Sequence, residues 1–236
     1  MRQMREKIWT QTSFALSQKN SPRGSQRLRI EFGPVGTPAT HSCRARYTMY
    51  AANLSDHESG YKDEPVMCQD GKPSSRRTTP VHYAARQAGY DKNILDKLFE
   101  IYDRYDVNYT DESGLSHFHV ACEYGCRDVV QKFLELGQDP NCIWRETGDS
   151  PLLLAAARDR KDVTELLLRH GADLNTANEN GSTPLGVICK SRHGDDLTKI
   201  LFEIADSKHH TVQVDVPDNL GRTPLQWAVA KLYNLS

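Results

Sequence analysis

The sequence predicts an all-α solenoid of about four full helix–turn–helix units and a partial fifth, behind a disordered N-terminal segment. Three observations carry that reading. A six-residue motif recurs five times, a second apolar helix follows each of the first four occurrences, and residues 1–78 show neither a 3.6-residue nor a 2-residue hydrophobic period.

The motif runs Thr79-Pro80-Val81-His82-Tyr83-Ala84, Ser116-His117-Phe118-His119-Val120-Ala121, Ser150-Pro151-Leu152-Leu153-Leu154-Ala155, Thr183-Pro184-Leu185-Gly186-Val187-Ile188 and Thr223-Pro224-Leu225-Gln226-Trp227-Ala228, at spacings of 37, 34, 33 and 40 residues. Its Thr or Ser is an N-cap, whose hydroxyl accepts from an unpaired N–H of the first turn. Proline follows at the first helical position, where no N–H is needed. Alanines such as Ala84, Ala121 and Ala155 let neighbouring helices approach closely. The second helices carry Ile94, Leu98 and Phe99; Val129, Phe133 and Leu134; Val163, Leu167 and Leu168; and Leu197, Leu201 and Phe202, a spacing that gathers each set on one face. Gly137 and Gly171 end second helices, where a left-handed residue is wanted. Gly114, Gly148, Gly181 and Gly221 stand two residues before a cap and mark a hairpin-like finger.

These residues resemble the ankyrin repeat, with its Thr-Pro-Leu-His-x-Ala signature and 33-residue period. Leu168-Arg169-His170-Gly171-Ala172-Asp173-Leu174-Asn175 is similar to the family's closing sequence. The resemblance covers 79–236, as repeats of about 79–112, 113–146, 147–180 and 181–220 and a partial 221–236. There are departures. His117 stands where proline is expected, extra residues lie near Gly89-Tyr90-Asp91, and an insertion around 207–211 reads as a loop. The fifth unit stops after its first helix, so a stack cut short is expected.

Composition bounds the rest. At 38% hydrophobic and 26% charged residues and a mean hydropathy of −0.65, the chain is wetter than a fully packed globule. Residues 1–78 hold 13 basic and 7 acidic residues, the remainder 17 and 24. The tail, with a short helix expected near Ile8–Leu16, reads as basic, solvated and disordered. The acidic repeat region disfavours nucleic acid as a partner. No apolar run approaches a membrane span, and the acid-poor start is only loosely similar to a transit peptide. Six cysteines without framework spacing read as free thiols of a cytoplasmic or nuclear protein.

His117, His119, Cys122 and Cys126 make the most metal-like grouping, yet the repeat register accounts for them: His119 in the family's His slot, bonding loop backbone, and Cys122 in an alanine slot as a small apolar residue. His209 and His210 read as a solvated loop. With no nucleophile elbow and no phosphate loop, neither enzyme activity nor a cofactor or metal is expected. The resemblance implies a monomeric module that binds a partner protein on its concave face, as scaffold, adaptor or inhibitor. A substrate-recognition subunit of a ubiquitin ligase is the alternative, and a metal or thiol enzyme the remote one. By register the partner-binding residues are Glu112, Ser113, Leu115, Glu123, Tyr124, Trp144, Glu146, Asp149, Arg158, Glu179, Ser182, Lys190 and Arg222. Trp144 is expected to project from a finger one residue longer than its neighbour, and Tyr124 to face the concavity.

Overall fold

In a computed structural model, residues 62–68, 71, 73–86, 92–191 and 194–233 are described. The tail expected to be disordered, its helix near Ile8–Leu16, and the residues near Gly89 lie outside that set, apart from 62–68, 71 and 73–78. The regular structure among the described residues is nine helices: α1 (Pro80–Ala85), α2 (Lys92–Ile101), α3 (His117–Tyr124), α4 (Arg127–Glu135), α5 (Pro151–Ala157), α6 (Lys161–Arg169), α7 (Pro184–Lys190), α8 (Asp195–Ser207) and α9 (Pro224–Tyr233). Each of α1, α3, α5 and α7 pairs with the helix that follows it, and these first helices, with α9, pack in a row. A second row is formed by α4, α6 and α8.

The motif does locally what its residues dictate. Ser116, Ser150 and Thr183 each accept a bond from the N–H three residues on, at 3.3, 3.3 and 3.2 Å. The fourth motif residue reaches back in return: the N–H of Thr79 donates to His82 Nδ1 (3.0 Å) and that of Ser116 to His119 Nδ1 (3.3 Å). Thr223 N–H does the same with Gln226 Oε1 (3.0 Å). A reciprocal cap of this kind satisfies donors at both ends of the first turn, which explains why short helices hold. Between the rows lies one apolar core, including Phe118 edge-on to Phe133 at 5.6 Å between ring centroids.

One sequence expectation changes. Residues 62–78 are not all tail. Asp63, buried, takes Arg77 Nη1 at 2.9 Å and Tyr109 Oη at 2.7 Å, while Arg77 N–H donates to Thr110 O and Thr110 N–H to Ser75 O. A carboxylate taken from water needs such partners, and this one ties the segment to the first finger. Around 207–211 the expected loop is present: only Ser207 is helical, as the last residue of α8, whose 13 residues outlast the nine of α4 and α6. After α8, His209 (φ 55°) takes the left-handed place that Gly137 and Gly171 fill in the preceding units.

Candidate interaction face

Between the second helix of one repeat and the first helix of the next, the chain makes the same turn three times. Asp111, Asn178 and Asp218 each pair N–H to the carbonyl four residues on (Leu115, Ser182, Arg222; 2.9, 3.1 and 3.0 Å), and each accepts from the glycine N–H three residues on. Their side-chain Oδ1 atoms take two further N–H groups inside the turn. The second finger is wider by one residue and closes from Trp144 N–H to Asp149 O at 3.0 Å.

The fingers stack through backbone and amide groups. Glu179 N–H donates to Thr147 O (3.1 Å), Asn219 N–H to Asn180 O (3.0 Å), and Asn178 Nδ2 to Asp149 Oδ1 (2.8 Å). This is why Gly148 is glycine: besides its φ of 70°, a Cβ there would stand 2.7 Å from the backbone nitrogen of Glu179.

Charges on this face differ along the stack. At the end of α1, Arg86 Nη2 meets buried Asp111 at 2.6 Å and Ser113 Oγ at 2.7 Å, with Glu146 at 4.0 Å. At the end of α3, Glu123 takes both Nε and Nη2 of Arg158, at 3.1 and 2.7 Å, across to the third repeat. At the other end, Lys190 Nζ lies 4.5 Å and Arg222 Cζ 4.6 Å from the centre of the Trp227 ring. That ring is half-buried and anchored by Nε1 donating to Asp218 Oδ2 at 2.8 Å. Trp227 carries no mark as a site residue in the sequence. The available signal is its place, fifth in the motif, where Tyr83, Val120, Leu154 and Val187 stand in the other repeats.

Of the register-based residues, Glu112, Glu146, Glu179, Lys190, Arg158 and Arg222 are exposed, while Ser113, Glu123, Asp149 and Ser182 are half-buried. Two differ from expectation, Leu115 and Trp144. Leu115 is buried inside its finger and belongs to the core. Trp144 does not project: it packs on the core and donates Nε1 to Ser113 Oγ of the preceding finger at 3.1 Å, because an indole buries area and keeps its N–H satisfied that way. Tyr124 turns its hydroxyl to Ala85 O at 2.9 Å and joins α3 to the end of α1.

The histidines and cysteines are committed elsewhere. His117 and His119, two residues apart on a helix, point to different neighbours. His117 Nε2 meets Thr79 Oγ1 at 2.6 Å, whereas His119 donates Nε2–H to Cys142 O at 3.1 Å, the loop-backbone bond expected of it. Burial holds His82 and His119 down to about 4 and His117 well below the ordinary range. Burial likewise pushes Cys126 and Cys142 up to about 12 and Cys122 well above its usual value, so each is a thiol at neutral pH. Among the described residues no three His, Cys, Asp or Glu side chains are grouped to hold a metal, and no helix is long and apolar enough to cross a membrane.

Comparison with known proteins agrees with this architecture. The family model for ankyrin repeats (3 copies) matches residues 81–178, 118–209 and 152–235. Neurogenic locus notch homolog protein 1 of Cricetulus griseus is 32% identical over 124 residues, 52% of this chain and 5% of that protein. The B-cell lymphoma 3 protein homolog of Mus musculus is 35% identical over 80 residues, 34% of this chain and 18% of that protein. BCL-6 corepressor-like protein 1 of Homo sapiens is 34% identical over 168 residues, 68% of this chain and 9% of that protein. The chain thus spans a small fraction of the length of each curated relative. With its motif, its paired helices and its stacked fingers all in register, the chain belongs to the ankyrin-repeat family, whose stacks are protein–protein interaction modules.

Proposed function

We propose that this chain binds a partner protein across the face made by its fingers and the ends of its first helices, acting as a scaffold, adaptor or inhibitor without catalysis of its own. One observation carries the reading. The fingers repeat one hydrogen-bonded backbone turn, with a one-residue variant in the second, yet present Ser113, Thr147, Asn180 and Leu220 at the position before the turn glycine. A surface with fixed geometry and variable side chains suits recognition, because little side-chain or loop ordering remains to oppose association. The thiols and imidazoles best suited to catalysis are buried, neutral and engaged in structural bonds, which supports a non-enzymatic role. The free cysteines among the described residues suit a reducing compartment, so we place the protein in the cytoplasm or nucleus.

The test is site-specific photo-crosslinking in a soluble extract. A benzoylphenylalanine is placed at Glu112, Glu179 or Lys190 on the proposed face, or at Lys132, Glu165 or Glu203 on second helices. One polypeptide captured from the first set and absent from the second is the expected outcome. Capture confined to the second-helix positions would overturn the assignment of the face.

A further inference from the structure

The end of the face formed by repeats four and five has a chemistry the other end lacks. Lys190 and Arg222 are both exposed, and neither has a carboxylate within ion-pair distance among the described residues. Arg86 and Arg158, which close the first helices of repeats one and three, are by contrast ion-paired within the stack. The distances of Lys190 and Arg222 to the same ring centre put their charges at most 9.1 Å apart, a span that one or two neighbouring carboxylates can bridge. Asp218 lies nearby, but its oxygens already accept from Leu220 N–H, Arg222 N–H and Trp227 Nε1. It therefore fixes the indole in place and leaves the pair with a net positive charge. An indole face with cations over it is preorganised, because the ring holds both side chains where they already gain by contact.

We propose that Lys190, Arg222 and Trp227 form a subsite for the acidic side chains of an extended peptide segment of the partner protein. This rests on the binding face argued above. Charge complementarity selects the occupant: two exposed cations, gathered on one indole, suit a pair of carboxylates on neighbouring side chains. A nucleic acid is the poorer match. Its phosphates continue along the chain past the two cations, and the adjoining finger presents Glu179 to repel them, with Glu146 and Glu112 on the fingers beyond.

Fluorescein-labelled hexaglutamate is the probe, read by polarisation against the full chain at low salt, with hexaglutamine and decathymidylate beside it. The expected result is saturable binding of hexaglutamate over hexaglutamine, weakened about ten-fold or more in Lys190→Glu/Arg222→Glu. Lys190→Gln/Arg222→Gln, with a melting curve matching the parent, guards against misfolding, and Arg127→Glu on α4 should bind as the parent does. Hexaglutamate should also change the tryptophan emission of the parent and not that of Trp227→Phe. Failure of hexaglutamate to bind, equal loss in Arg127→Glu, or tighter binding of decathymidylate would each overturn the proposal. The photo-crosslinks on Glu112 and Glu179 do not depend on this pair, so a failure here and a failure of the face itself are distinguishable.

Discussion

Repeats two and three differ from repeats four and five in a way their local sequences do not announce. Leu152 and Leu225 occupy the same motif position after the same Pro, in helices with the same start. Leu152 is 0% exposed and Leu225 is 69% exposed. Leu168 and Phe202 likewise share a register on second helices, at 2% and 36%. In charge the contrast runs the same way, with Glu123 and Arg158 bound to each other and Lys190 and Arg222 left without ion-pair partners. The lesson concerns solenoids: a motif sets the conformation of its own repeat, but burial and charge neutralisation come from the repeats on either side.

The sharpest way to break the comparison is to truncate the same position twice. Leu152→Ala should cost about 3–5 kcal/mol, for the lost burial and the cavity left behind, and Leu225→Ala under about 1 kcal/mol. Chemical denaturation of both variants would show whether a shared motif position really has two energies. Acid should separate the regions next. His82 and His119 titrate near 4 in the native state and near 6.5 when unfolded, so the unfolded chain takes up protons first as pH falls. Stability from this source is complete above about pH 6.5 and is lost between there and about pH 4, at about 1.4 kcal/mol per histidine per pH unit. Hydrogen exchange at pH 5 should show repeats one and two opening before repeat three, and His119→Gln should flatten the dependence.

Smaller effects sharpen the picture. Asp63→Ala removes the buried partner of Arg77 and Tyr109 and should lower stability by about 2 kcal/mol. Arg158→Ala should change it by under about 1 kcal/mol, since the arginine is more than half exposed and its pairing is screened. His209→Gly should raise stability by about 0.5–1 kcal/mol by relieving a left-handed backbone in the place the other repeats give to glycine.

Much of this fold was legible because the ankyrin signature is local. Ser116, Ser150 and Thr183 cap helices through bonds spanning three residues, and Gly148 and Gly181 serve turns closed within a few residues. What depended on distant partners was not legible. Nothing near Asp63 shows that it meets Tyr109, 46 positions away. Trp144 is a finger residue in sequence and a packed, hydrogen-bonded one in space, because Ser113 of the preceding finger offers its hydroxyl. Trp227 went unmarked for the converse reason, since Arg222 and Asp218 reach it through a turn and Lys190 from the previous repeat. The charged and histidine-bearing residues at 208–211 were legible as loop, but not the four residues by which α8 outlasts α6.

On the proposed function, this stack recognises a protein through the finger face, and the end of that face without ion pairs discriminates. The most direct measurement is the affinity of the crosslinked partner for two variants that melt like the parent, Lys190→Ala/Arg222→Ala and Glu123→Ala/Arg158→Ala. About ten-fold or greater weakening is expected in the first and at most about three-fold in the second. Unchanged affinity in the first with a large loss in the second would contradict it.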